Sequence, residues 1–241
     1  AGRRLLLALS LEPRLVAPGT LYVVATPLGH RGDLTTRAAE VLRAVDVVAA
    51  EDTRRSRTLL QHIGAPPRML AVHAHSEASQ AEPILALLHA GQSVALVTDA
   101  GTPGISDPGA RLVAAVRAGG CPIVPIPGAS AVATALSASG LPADRYLFLG
   151  FPARKGRERA EELARAATEP WTVVFYEAPP RLVALLRDLA EACGPGRRAV
   201  VARELTKLHE EFRAGTLEEL SAWYTEHPPK GEITLVLEGA P

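Results

Sequence analysis

The residues best equipped for chemistry lie in loops rich in glycine and proline. The run Asp99-Ala100-Gly101-Thr102-Pro103-Gly104-Ile105-Ser106-Asp107-Pro108-Gly109 joins a strand-like apolar stretch to a helix-like one. Its glycines let a backbone approach a ligand closely, and its exposed N–H groups suit polar or anionic atoms. Asp99 can accept hydrogen bonds from ribose hydroxyls or an amino group. The spacing predicts Asp107 as a helix N-cap with Pro108 in the first turn. Two more loops share this grammar, Thr26-Pro27-Leu28-Gly29-His30 and Pro127-Gly128-Ala129-Ser130-Ala131. Each follows an apolar strand-like run, so the three are expected to converge on a pocket for a nucleotide-like ligand. Neither the Walker P-loop nor the Rossmann glycine spacing occurs, and no G-x-S-x-G nucleophile elbow is present.

Charged residues form a second set. Glu51-Asp52-Thr53-Arg54-Arg55-Ser56-Arg57 puts two carboxylates and three guanidiniums at a strand-to-helix junction. The acids can cap the helix while the arginines are solvated, or Arg54, Arg55 or Arg57 can grip a phosphate with the planar guanidinium fork. Arg154, Lys155, Arg157 and Arg159 make another basic cluster, with solvated helix surface as the alternative. His73, His75 and Glu77 share an extended segment, but no His/Cys ligand set accompanies them. They are read as polar lining of a cleft, with no metal expected. Tyr176-Glu177 and Arg203-Glu204-Leu205-Thr206-Lys207 end strand-like runs, where they either face the same cleft or cap their strands.

These residues must be positioned by alternating elements. Strands are expected over 21–25, 47–50, 69–72, 94–98 and 123–126, with helices over 34–44, 53–62, 82–89 and 108–118. That alternation implies a mostly parallel sheet covered on both faces. The texture changes around residues 141–151. Beyond it, strands over 172–176, 199–204, 211–213 and 233–238 and helices over 158–167, 180–192 and 217–226 imply a mixed sheet. The fold class is α/β in two domains, 19–140 and 141–241, after an extension over 1–18. Ligands of open α/β sheets lie in crevices at strand carboxyl ends, so the cleft between the halves is the expected site.

Composition limits the partners. The 241 residues carry 26 Lys+Arg against 26 Asp+Glu, which excludes a protein that coats nucleic acid through bulk positive charge. Cys121 and Cys193 are too few for a disulfide framework and suit a reducing compartment. Arginine far outnumbers lysine and asparagine is missing, which fits either heat adaptation or a GC-rich genome. The basic-then-apolar start over 3–11 is interrupted by Glu12 and Arg14, so a cleaved secretory signal is not expected. No apolar run reaches the roughly 18 residues of a membrane span, and a cytoplasmic protein is expected.

The blocks over 21–29, 51–60, 98–109, 127–141, 175–182, 202–207 and 230–239, in this order, resemble the ribosomal-RNA-methylating branch of the tetrapyrrole (corrin/porphyrin) methylase superfamily. The runs over 99–109, 136–142 and 202–207 carry the likeness to that branch, and the resemblance covers nearly the whole chain. It implies S-adenosyl-L-methionine held in a cleft between two α/β domains, usually in a homodimer. It also implies methyl transfer to the ribose 2′-oxygen of a cytidine in small-subunit (16S) ribosomal RNA, with neither DNA nor membrane as partner. By position, the cofactor should meet Pro27, Leu28, Gly29, Asp99, Ala100, Gly101, Thr102, Pro103, Ile105, Ser130 and Ala131. Tyr176, Ala202 and Thr234 should close over it from the second half.

His30, Ala74, Ser76, Ala129 and Pro180 depart from the family's usual residues. Longer members also continue into a small helical tail where this sequence stops at Pro241, so RNA contact is expected from the two main domains. A ribose hydroxyl is a weak acid, so a base or a cation beside the developing alkoxide would assist its methylation. Glu51, Glu177 and Glu204 are candidate bases, and Arg54, Arg203 and Lys207 candidate cations, with Glu51, Arg54 and Glu177 expected to border the acceptor. A methylase of a small tetrapyrrole and a non-catalytic ribosome-assembly factor are the rival readings.

Overall fold

A computed structural model describes residues 15–65, 68–72 and 77–241, with backbone only for 77–79. The expectations for the extension over 1–14 and for His73 and His75 therefore lie outside the described residues. The first sheet contains β1 (Leu21–Val24), β2 (Val47–Ala50), β3 (Arg68–Ala71), β4 (Val94–Val97) and β5 (Ile123–Ile126). All its pairings are parallel, in the order β3-β2-β4-β1-β5. Every residue of β2 and β4 is buried, as expected of a sheet covered on both faces.

Side chains alternate along each strand and sort into two cores. Val24, Val48, Ala50, Ala95 and Val97 pack under α1 (Thr36–Ala44) and α2 (Thr53–His62). Leu21, Val47, Ala49, Val94 and Leu96 pack under α3 (Glu77–His89) and α4 (Ala110–Ala118). The chain thus leaves β1 toward one face and leaves its neighbour β4 toward the other. That reversal opens a crevice at their carboxyl ends, the switch point of a doubly wound sheet.

The second sheet runs β6-β7-β10-β8-β9, with β6 (Tyr146–Gly150) parallel to β7 (Thr172–Glu177). The remaining strands, β8 (Arg198–Arg203), β9 (Glu211–Thr216) and β10 (Ile233–Leu237), pair antiparallel. One face packs on α6 (Arg157–Thr168), α7 (Leu182–Cys193) and α8 (Leu217–Glu226). The other face is covered by α5 (Ala131–Ser139), whose Val132, Ala135 and Leu136 meet Val174, Val200, Ala202 and Val236. Leu28, from the loop after β1, joins that same cluster and ties the halves together.

Several expected boundaries move. Helix α1 starts at Thr36 because Thr35 caps it and residues 31–33 form a separate 3-10 turn. Helix α7 starts at Leu182 after a 3-10 turn over Pro179–Arg181. The helix expected from Pro108 begins at Ala110, with Gly109 at its N-cap (φ 138°) and no side-chain cap. Asp107 is therefore not a cap. Strand β9 extends to Thr216, three residues past the expected stretch.

Candidate active site

The cleft lies where the loops after β1, β4 and β5 meet the second sheet. These strands are neighbours in the sheet, so three loops distant in sequence are adjacent in space. Thr26 and Gly101 exchange backbone hydrogen bonds of 2.8 and 3.0 Å, which pins the first loop to the second. The Thr102 hydroxyl donates to Ala129 O at 3.1 Å, which pins the second to the third. Ser106 holds a left-handed backbone (φ 59°), a strained choice for a side-chain-bearing residue, and it lines the cleft.

The cavity has a volume of about 420 Å³. The first half contributes Leu28, Asp99, Ala100, Gly101, Thr102, Ile105, Ser130 and Ala131 to its wall, and the second half contributes Tyr176, Glu177 and Thr234. Of the other residues expected here, Pro27 and Gly29 line an adjoining hollow and Pro103 is buried beneath its loop. Ala202 is fully buried in the core. It lies in register with Thr234, so the neighbouring strand presents threonine to the cleft while alanine supports it from within.

The residues expected to assist the chemistry separate sharply. Glu51 lines the cleft. Arg54 turns outward, its side chain 90% exposed, and pairs with Asp52 at 2.9 Å. That hydrogen-bonded pairing holds the Asp52 carboxyl down at about 2. Arg55, one position on, lines the cleft and pairs with Asp99 at 3.2 Å. Consecutive helix residues differ by about 100° in direction, so neighbouring arginines serve different surfaces.

Lys207 does not line the cleft. Its stem lies against Gly29, where a β-carbon would strike it, and its Nζ donates to Glu204 (2.8 Å) and Glu232 (2.9 Å). Burial lowers the Lys207 pKa, but those hydrogen bonds outweigh it and the net shift is upward. Glu204 and Arg203 are likewise occupied, Glu204 with Lys207 and Arg203 with Glu211 at 3.1 Å. Arg159 belongs to no basic surface. It is buried and bonds Asp188 and Ala153 O, fixing the segment that presents Phe151 to the cleft.

Glu177 is the most constrained carboxylate in the cleft wall. Its side chain is fully buried, Oε1 accepts from Ala178 N at 2.8 Å and from Arg181 at 3.1 Å, and Oε2 has no partner. Burial raises its pKa. Asp107 also lines the cleft, and its pKa rises to about 7 through desolvation and the nearby negative charges of Glu51, Asp99 and Glu232. Burial, followed by the charge of Asp107, raises the Tyr176 phenol to about 12. Five carboxyl groups (Glu51, Asp99, Asp107, Glu177 and Glu232) therefore line the cavity with one guanidinium, Arg55. Such a wall suits a ligand with positive charge. Among the described residues, no group of three or more His, Cys, Asp or Glu side chains is arranged to hold a metal ion.

Sequence reading passed over Asp107, Phe151 and Glu232 as cleft residues. Asp107 was masked by its position ahead of a proline. Glu232 stands one residue before β10, and its place at the cleft follows from strand order, which has no local signature.

The chain belongs to the tetrapyrrole (corrin/porphyrin) methylase family, whose sequence profile matches residues 20–221, and it is a methyltransferase. It is 50% identical to Ribosomal RNA small subunit methyltransferase I of Synechocystis sp., a match over 92% of this chain and 80% of that one. The cobalt precorrin-4 methyltransferase CbiF has the same fold, with a TM-score of 0.71 at 18% identity, over 91% of this chain and 95% of that one. Uroporphyrin-III C-methyltransferase from Thermus thermophilus, complexed with S-adenyl homocysteine, superposes with a TM-score of 0.65 at 20% identity, over 91% and 97% of the two chains.

Proposed function

We propose that this chain uses S-adenosyl-L-methionine to methylate the ribose 2′-oxygen of a cytidine in small-subunit (16S) ribosomal RNA, acting as a cytoplasmic homodimer. The observation that carries the donor is the acidic cavity between the two sheets. A sulfonium donor is cationic, and it is drawn to a wall of five carboxyl groups, of which Asp99, Glu177 and Glu232 are paired with Arg55, Arg181 and Lys207. The extended similarity to small-subunit ribosomal RNA methyltransferases supports the acceptor.

When bound, the donor supplies an electrophilic methyl group. The chain's own residues then have distinct tasks. Asp99 and the backbone of residues 100–102 hold the donor's polar groups, while Leu28, Ala131 and Tyr176 bury its apolar surface. Fixing two reactants in line is the largest contribution expected for such a displacement. Glu51, a carboxylate of the cleft wall, takes up the proton of the acceptor hydroxyl, while buried Glu177 stays paired with Arg181. Arg55, rather than Arg54, faces the reacting groups.

Tritiated methyl transfer to undermodified small subunits, beside free 16S RNA and a corrin precursor, tests the function. Incorporation into the 2′-oxygen of one cytidine is the expected result, and incorporation only into the corrin would overturn it. Glu51→Gln keeps the side chain's size but cannot accept the proton, so kcat should fall about a hundredfold or more.

A further inference from the structure

Beside the cleft lies a smaller hollow of about 200 Å³, and Leu28, Arg55 and Asp99 line both spaces. The two differ in charge. Carboxyl groups dominate the cleft, whereas the hollow has Arg31 and Arg55 against Asp99 alone. Asp99 and Arg55 pair at 3.2 Å, and Asp99 also accepts from Asp52 N at 3.1 Å, so Arg31 supplies the hollow's net positive charge. Arg31 is exposed and, among the described residues, enters no ion pair. Gly29 adds no side chain, so backbone forms part of the wall. A guanidinium fork in a concave site beside open backbone suits a phosphate's oxygens.

Two reactants of opposite charge would meet in this region. Every ribose in an RNA strand is flanked by phosphodiesters, so bringing a 2′-oxygen to the cleft also brings a phosphate close beside it. We propose that the hollow formed by Arg31 and Arg55 is an anion subsite that seats the phosphodiester next to the acceptor ribose. This inference rests on the RNA reading of the cleft. Arg55 forms the shared wall, separating a compartment for the cationic donor from one for the anionic strand.

The test uses the full chain with undermodified small subunits, comparing wild type with Arg31→Ala, Arg31→Lys and Arg31→Glu. Arg31→Ala should raise the KM for subunits on the order of tenfold at low salt and reduce the salt slope of binding by about one. Arg31→Lys should recover part of the loss and Arg31→Glu should deepen it, while calorimetry with S-adenosyl-L-methionine gives the wild-type affinity in all three. Inorganic phosphate should compete with subunits more weakly against Arg31→Ala than against wild type. An unchanged KM and salt slope in Arg31→Ala would overturn the subsite. So would phosphate that binds wild type without displacing subunits, because the hollow would then serve a free anion. Failure of the RNA reading is a separate result, since wild type itself would transfer no methyl group to subunits.

Discussion

Glu51 and Asp99 secure each other's loops. The Asp99 N–H donates to Glu51 Oε2 at 3.4 Å, while Asp99 Oδ1 accepts from the N–H of Asp52, the residue after Glu51, at 3.1 Å. Two adjacent parallel strands thus end in a reciprocal latch. Through this latch two acids of the cleft wall brace each other's backbones.

Asp107 should make donor binding depend on pH near neutrality. A cationic ligand favours the ionised carboxylate, and this group loses its proton at about 7. Affinity for S-adenosyl-L-methionine should therefore rise between pH 6 and pH 8, and Asp107→Asn should flatten that rise. Calorimetry across this range measures both curves. For stability the sign is opposite. The folded pKa lies above the ordinary 3.8, so the group's contribution to stability is fully present below pH 3.8 and is lost as pH rises through about 7.

Arg181→Met should destabilise the protein by about 3 kcal/mol, because it strips the counter-charge from a carboxylate with no exposed surface. The loss should be larger at pH 8 than at pH 5. Burial already holds the Glu177 pKa above its usual 4.5, and without Arg181 the carboxylate is expensive to ionise. Urea unfolding at the two pH values reads this difference, and equal losses would contradict it.

Gly231→Ala should cost about 1–2 kcal/mol and weaken donor binding. Gly231 adopts φ +87°, which an L side chain tolerates poorly, and a β-carbon there would strike the Glu204 carboxylate. Displaced Glu204 would release Lys207, whose stem lies over Gly29. Thermal melts together with donor titrations test both parts.

Thr216→Ala should lower stability by about 1 kcal/mol and leave methyl transfer intact. Thr216 and Glu219 form a reciprocal capping box at the start of α8, on the face of the second sheet away from the cleft. Denaturant midpoints and turnover, measured on the same preparation, check the separation.

Helix α8 was legible to the residue, from 217 to 226, because its signals are local: Thr216 with Glu219 at the start and apolar side chains at helical spacing. Strands β2 and β5 were equally plain as short apolar runs. Helix α5 escaped notice because Ala131-Val-Ala-Thr-Ala offers little contrast between faces, and its buried side is defined only by the sheet it meets. That the three glycine-rich loops meet at one cavity was legible from their composition. Whether Arg54 or Arg55 turns inward depends on the exact phase of a helix, and Lys207's pairing with Glu232 spans 25 residues. Neither is encoded in any short stretch of chain.

The loop before α5 is stitched to the first sheet at Ala129, yet the helix itself is part of the second sheet's core. The floor of the cavity is thus common property of both halves, and neither can be replaced without rebuilding it. Phe151 and Ile105, both partly exposed, stand at the rim and contribute little to that shared foundation. A lineage adapting this enzyme to a new acceptor would be free to change the rim long before it could alter the floor, so acceptors should diversify faster than the donor.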